Sequence, residues 1–494
     1  MFSKSQVGDS VASIKTRISS APHRVLNPFV KPLASHLAEK CGRCGKERLF
    51  TVFDAYLGRK QLSCPSCRLT SALMKPTIRF FFSRFSISDN TIKELLGDST
   101  LRRSMLGAIK GVAAFGIRQP QPAGAPVVIV WNFTNRCNLN CLHCHQDSSL
   151  STSEPELTTQ QAFKVIDKMA DAGVAILTFS GGEPLLRHEL YDAVKRADDS
   201  GMLCTVASNG TLVTRNVAEE LAKAGIQRVE IGLDGAKAET HDFLRNTRGS
   251  FEATVRGIKN CVELDSFQEV CVTTTLNKSN LHEIPQIVDL AEELGATRFY
   301  LNRLIPAGRG KNVSHLDVTP REKAEVLECL CGRFHKSVIE GEGIQCYTRG
   351  MTYFARVGYE RSNGQVFNVS EVLSGYDKMF RTRFGGELSK IVRGFATSFG
   401  GCSAGLTYCG LSAQGDVLPC VPAPIKLGNL LEQDLEEIWI HSGVLNRIRD
   451  RGKLTGSCGQ CRYNGICGGC RYTAYYNFGD WLGPDSSCPY GAKL

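Results

Sequence analysis

From residue 127 onward the chain alternates between two hydrophobic periods. Short runs rich in β-branched residues, VVIVW (127–131), AILTFS (175–180), LCTVAS (203–208), QRVEIGL (227–233), EVCVTTTL (269–276) and RFYLNRL (298–304), read as strands. Between them TTQQAFKVIDKMADAG (158–173), TRNVAEELAKAG (214–225) and LHEIPQIVDLAEELG (281–295) set apolar residues at helical spacing. Six strand–helix units in this order predict an α/β fold: a parallel sheet with crossover helices, arranged as an open barrel or a doubly wound sheet. In both, ligands bind at the carboxyl ends of the strands.

The flanks read differently. RQPQPAGAP (118–126) has the composition of a linker. Before it, residues 1–40 carry six Lys or Arg against Asp9 and Glu39, and residues 75–118 carry eight against three acids. Both segments interleave the basic residues with large apolar ones, a pattern compatible with an acidic membrane surface, although a solvated face beside a packed one is the plainer reading. Residues 346–400 show no strong periodicity and are expected to bridge, and from 401 the sequence is Cys-, Gly- and Tyr-rich with little regular structure expected, the composition of a domain stapled by metal. With 494 residues, 42% of them hydrophobic, the chain can bury a sizeable core. It has no apolar run near the ~18 residues of a membrane span and no apolar core of a signal peptide at its start, so a cytoplasmic location is expected. The net charge of +10 is moderate for this length.

Twenty-one cysteines in a reducing compartment imply metal sites. Cys204, Cys261, Cys271, Cys329, Cys331 and Cys346 are scattered and are expected to be small buried residues; the other fifteen cluster. In NRCNLNCLHCHQ (135–146), Cys137, Cys141 and Cys144 offer three thiolates where a structural zinc or a closed cubane takes four, so the metal keeps an open position. A zinc knuckle completed by His143 or His145 is the competing reading. Near the amino terminus CGRC…CPSC places Cys41, Cys44, Cys64 and Cys67 as two pairs nineteen residues apart, the spacing of a zinc ribbon or a rubredoxin-like iron site.

Taken together, the first strand, the three cysteines, SGGEP (180–184) and the six units resemble a radical S-adenosylmethionine enzyme. The resemblance implies a partial (β/α)6 TIM-like barrel over residues 123–345, in which Cys137, Cys141 and Cys144 hold a [4Fe-4S] cluster whose open iron takes the amine and carboxylate of S-adenosylmethionine. It also implies reductive cleavage to a 5′-deoxyadenosyl radical, hydrogen abstraction from an unactivated C–H bond, and an external electron donor of ferredoxin or flavodoxin type. Gly181, Gly182, Glu183 and Pro184 would receive the methionyl amine, glycine allowing close approach, and Ser208 and Asn209 would meet ribose or carboxylate oxygens. GLDG (232–235), TTT (273–275) and LNR (301–303) are expected to face the pocket, with Arg303 beside anionic groups.

Residues 401–494 resemble a SPASM domain, which implies two auxiliary [4Fe-4S] clusters. By order these are Cys402, Cys409, Cys420 and Cys470 for one, and Cys458, Cys461, Cys467 and Cys488 for the other, with paired zinc sites as the alternative. Val421 stands where peptide-oxidising sulfatase maturases carry an acid, so their mechanism does not transfer. CGGCRYTAYYNFGDWLGPDSSCPY together with LNRLIPAGRG is closer to the branch that includes haem and haem d1 maturases. The domain order expected is a basic segment (1–40), the four-cysteine knuckle (41–70), a basic-apolar helical segment with linker (71–122), the barrel (123–345), the bridge (346–400) and the cluster domain (401–494). The substrate expected is a tetrapyrrole or a ribosomal peptide, with a membrane lipid as the alternative. A zinc-rich nucleic-acid-binding module leaves the three-cysteine site and GGEP without an account.

Overall fold

The computed structural model describes residues 21–59, 64–83, 88–151, 154–337, 342–350, 401–465 and 467–491. The first twenty residues and residues 351–400 of the expected 346–400 bridge lie outside the described residues.

Five helices open the described chain: α1 (Ala21–Ala38), α2 (Arg48–Leu57), α3 (Pro65–Ser83), α4 (Asp89–Gly97) and α5 (Ser99–Phe115). They close on a core of their own, centred on Leu37, Val52, Phe53, Ile92, Leu96 and Leu106. Ser88 caps α4 by accepting from the Thr91 N–H and Asp98 caps α5 by accepting from Leu101 N–H, which sets the sharp turn between them. The segment after α5 is no loose linker. Residues 120–126 are buried, Ala123 N donates to Leu406 O and Gly124 N to Gly107 O, both at 2.8 Å, and Trp439 Nε1 donates to Ala123 O. A Cβ on Gly111 would lie 2.1 Å from Pro122 O, so glycine lets this tape lie against the helix.

Seven strands follow: β1 (Val128–Thr134), β2 (Ile176–Gly181), β3 (Leu203–Ser208), β4 (Ile226–Gly232), β5 (Glu269–Leu276), β6 (Arg298–Arg303) and β7 (Gln345–Arg349). They pair in chain order and parallel throughout, so β7 adds a strand to the six that the sequence suggests. The crossovers are α6 (Thr159–Ala172), α7 (Leu190–Asp199), α8 (Arg215–Ala224), α9 and α10 (Ala238–Arg245 and Ser250–Leu264), α11 (Ile284–Glu293) and α12 (Pro320–His335). Local chemistry sets their bounds. Thr158 and Gln161 form a capping box on α6, Thr214 caps α8, and both helices stop at a glycine in the left-handed region, Gly173 and Gly225.

Strand alternation separates two faces. Ile129, Trp131, Leu177, Phe179, Val206, Val229, Val272 and Phe299 share one face and pack on the crossover helices in the main core. The opposite face lines the lumen. Five of the six scattered cysteines are buried as expected; Cys329, on α12, is exposed.

The region after 401 has more regular structure than its composition suggests. Its strand β8 (Tyr408–Leu411) pairs parallel with β1, and β9 (Asp416–Leu418) and β10 (Gly428–Asn429) continue antiparallel, giving one ten-stranded sheet in the order β10-β9-β8-β1-β2-β3-β4-β5-β6-β7. Helices α13 (Leu435–His441), α14 (Gly443–Arg449), α15 (Gly456–Gln460) and α16 (Arg471–Phe478) complete it. Strands of two to four residues are too short to show a period, which is why the sequence conceals them.

Candidate active site

The three-cysteine loop leaves β1 at Thr134, on the carboxyl edge of the sheet. Glu156 Oε1 accepts from Thr134 Oγ1 and Asn135 N, both at 2.7 Å, and the loop is tied to the end of β2 by Gly182 N donating to Thr134 O and Glu183 N to Arg136 O, both at 2.8 Å. A Cβ on Gly182 would stand 2.1 Å from Arg136 O and 3.1 Å from Cys137 Cβ. Glycine here makes room for the chain's own cysteine loop.

Cys137 and Cys141 are buried beside Leu139, with Cys144 against them. Hydrogen-bond donors point at the sulfurs: Leu139 N to Cys137 Sγ at 3.4 Å, Asn209 Nδ2 to Cys137 Sγ at 4.0 Å, and Arg245 Nη1 to Cys141 Sγ at 3.9 Å. Burial pushes the Cys137 thiol up to about 11 and also raises Cys141, which Arg245 pulls back. Ionising such thiols takes a bound cation, and the donors stabilise the thiolates once formed. Among the described residues only Cys41, Cys44, Cys64 and Cys67 bring their sulfurs within 4.8 Å of one another, with contacts of 3.8 Å (Cys41–Cys64) and 3.6 Å (Cys44–Cys67). A tetrahedral ion with ~2.3 Å metal–sulfur bonds sets its sulfurs ~3.8 Å apart. The amino-terminal set therefore fits one ion.

Glu183 is fully buried. Its carboxylate accepts from Ser208 Oγ at 3.0 Å, Asn209 N at 2.8 Å and Leu185 N at 3.2 Å, joining the ends of β2 and β3. Burial raises its pKa to about 7 against these bonds. Asn209 also donates to Asn138 Oδ1 at 2.9 Å, so the ASNG turn braces the cysteine loop.

Two arginines given no role from the sequence hold this loop. Arg245, at the end of α9, pairs with Asp234 at 2.9 Å, and Asp234 also faces His143 Nε2 at 3.2 Å. Although burial by itself would raise it, Arg245 and then His143 hold the Asp234 carboxyl well below the usual range. Arg309, in the LNRLIPAGRG segment, donates through Nε to Cys141 O at 2.9 Å and through Nη1 to Asp147 Oδ1 at 2.9 Å and Ser148 O at 2.8 Å. Asp234 was visible in GLDG at a strand end; neither arginine carries a local signal.

Of the later motifs, Thr273, Thr275 and Asn302 alternate toward the lumen, while Thr274 turns outward and donates to Leu233 O at 2.6 Å. Arg303 is a correction: it is buried and bonds Thr473 and Ser487 of the C-terminal region, so it joins two parts of the molecule where a substrate-facing cation was expected. The lumen has other cations. Arg228 and Arg298 both pair with Glu269, at 2.8 and 2.6 Å, across the amino ends of the strands. Nearer the carboxyl edge Arg349 makes a bidentate pair with Glu230 at 2.7 Å and lies 4.0 Å from the ring centre of Tyr300, which stacks on Tyr347.

In the C-terminal region Cys458, Cys461, Cys467 and Cys488 line one small cavity, with Asp485 N donating to Cys458 Sγ at 3.3 Å, Tyr463 N to Cys461 Sγ and Gly469 N to Cys467 Sγ, both at 3.4 Å. Cys402, Cys420 and Cys470 form a second group: burial, then Cys470, raises the Cys402 thiol, and burial, then Cys470 and Cys402, raises Cys420. Cys409 does not join them. It sits on β8 in register with Ile129 on the helix-packed face, whereas a Cβ on its neighbour Gly410 would meet Val421 N at 2.8 Å on the other.

A family model described as the radical SAM superfamily matches residues 131–291, and one described as an iron–sulfur cluster-binding domain, SPASM, matches residues 402–480. An AdoMet-dependent heme synthase of Methanosarcina barkeri is 36% identical over 367 residues, 74% of this chain and 97% of that protein. The chain belongs to the radical SAM superfamily. A pre-heme d1 synthase of Dinoroseobacter shibae is 28% identical over 345 residues, 68% of this chain and 79% of that one, which places this radical SAM enzyme with the branch suggested by its C-terminal motif. The crystal structure of Streptococcus suis SuiB bound to S-adenosylmethionine shares the fold, with a TM-score of 0.61 at 18% identity, covering 89% of this chain and 92% of SuiB. The radical SAM and SPASM domains imply [4Fe-4S] clusters and S-adenosylmethionine, and the sulfur-directed donors described above suit that chemistry.

Proposed function

We propose that this enzyme carries out a radical step in the making of a haem-type tetrapyrrole. The observation that carries the reading is the match to a heme synthase over nearly that protein's whole length. The lumen supports it, since a flat, carboxylate-bearing macrocycle suits Arg349 beside the Tyr300–Tyr347 stack. Bound at the carboxyl edge, a [4Fe-4S] cluster and S-adenosylmethionine supply a 5′-deoxyadenosyl radical able to take hydrogen from an unactivated C–H bond. Cys137, Cys141 and Cys144 would hold that cluster, with Asn209, Arg245 and the Leu139 N–H balancing thiolate charge and Arg309 fixing the loop. Gly181, Gly182, Glu183, Pro184, Ser208 and Asn209 frame the place for S-adenosylmethionine.

Cys458, Cys461, Cys467 and Cys488 would hold one auxiliary cluster. Cys402, Cys420 and Cys470 would hold another by three thiolates, which revises the four-ligand set that included Cys409. The amino-terminal set takes one zinc or iron ion. Electrons come from an external donor of ferredoxin or flavodoxin type. A peptide substrate is the second reading, favoured by 28% identity to the mycofactocin maturase MftC of Mycobacterium tuberculosis over 84% of that protein.

The test is 5′-deoxyadenosine formation by the reconstituted enzyme with carboxylate-bearing porphyrins, with and without iron, alongside binding followed by the porphyrin's own absorption. Arg349→Leu is expected to weaken porphyrin binding about tenfold, the loss of a charge-assisted bond. A wild-type enzyme that neither binds these porphyrins nor makes deoxyadenosine faster in their presence would overturn the tetrapyrrole reading and leave the peptide one.

A further inference from the structure

Five of the ten large apolar side chains that stand exposed among the described residues lie on α1 and α3: Phe29, Leu33, Leu69, Leu73 and Phe80, between 47% and 77% exposed. Their spacing is helical. Leu69, Leu73 and Phe80 fall at i, i+4 and i+11 on α3, Phe29 and Leu33 at i and i+4 on α1, so each helix presents one apolar stripe. The two helices meet where His36 Nε2 and Thr70 Oγ1 stand 3.2 Å apart, three residues from Leu33 on one helix and one from Leu69 on the other. Neither helix contains a carboxylate, and exposed Arg68 and Lys75 flank the stripe of α3.

We propose that this face docks the enzyme on an anionic lipid bilayer. Its side chains project from two convex helices, so Phe and Leu enter the acyl boundary while Lys and Arg extend to the phosphates. A second copy is a poor occupant: a two-fold contact would set Arg68 and Lys75 against the same cations of the other copy. The docking fixes the whole enzyme and not a tethered module, because the buried tape at 120–126 and the Lys40–Asp171 and Lys110–Glu436 ion pairs bind these helices to the barrel and the C-terminal region.

The full chain is to be floated with vesicles of equal parts phosphatidylglycerol and phosphatidylcholine, and with phosphatidylcholine alone. Binding to the anionic vesicles alone, weakened by added salt, is expected. Lys75→Glu should lower it more than fivefold, since one basic residue at such a surface is worth about fivefold, and the triple change Leu69→Ser, Leu73→Ser, Phe80→Ser should abolish it. All four positions are exposed, and retention of the metal at Cys41, Cys44, Cys64 and Cys67 reports that the module is still folded. If the triple variant loses that metal, Lys75→Glu alone decides. Absence of wild-type binding overturns the proposal. So does binding indifferent to these changes, or a dimer in sedimentation that the triple change dissolves.

Discussion

Glu183 and Arg245 show how single side chains are committed beneath the cysteine loop. The Glu183 carboxyl has a folded pKa of about 7 against an ordinary 4.5. Between those values the folded chain holds a proton that the unfolded chain has released, so its contribution to stability falls as pH rises through that window. Denaturation of the metal-free chain from pH 5 to 7 should show this slope, and Glu183→Gln should flatten it. Arg245 balances the buried Asp234 and reaches Cys141. Arg245→Met leaves the buried Asp234 carboxylate without its arginine, with only His143 and the Thr275 N–H beside it, and should cost about 3–5 kcal/mol, while adding Asp234→Asn should recover much of it. Denaturant midpoints of the two variants check the pair; equal losses would show that Arg245 acts only through Cys141.

At the scale of elements, the contact between α5 and the 120–126 tape decides whether the amino-terminal helices move with the barrel. Gly111→Val drives a side chain into the Pro122 carbonyl, an overpacking that typically costs about 1–3 kcal/mol. The variant is expected to be cut by trypsin at Arg118 faster than the wild type, with the barrel fragment retaining its iron. Unchanged cleavage would mean that the tape is held by the Trp439 and Leu406 contacts alone. Strand β8 is the comparable element at the other end. By pairing with β1 it turns the C-terminal region into part of the barrel sheet, and it carries Cys409 to the helix-packed face.

For the whole molecule, that placement gives a count of metals. The three cubanes proposed would need about twelve irons, and the amino-terminal set one further ion. Cys409→Ala should keep the full iron content, whereas Cys420→Ala should lose about four; elemental analysis separates them, and iron loss from Cys409→Ala would restore it as a ligand. Much of this was legible in the chain. The six strand–helix units, the CxxxCxxC loop, GGEP and the two cysteine sets at the ends are local patterns, and local patterns follow from bonded geometry and the burial of one face, which neighbouring residues determine among themselves. What tertiary structure alone decided are the long-range partners: Arg245 on Cys141, Arg309 on the cysteine loop, Arg303 turned to Thr473 and Ser487, β8 beside β1, and Gly182 under Arg136. Each joins segments distant in the chain, and no period or spacing records which pair will meet. Their positions follow from the pairing of all the strands into one sheet, which brings strand ends and loops together after every local choice has been made.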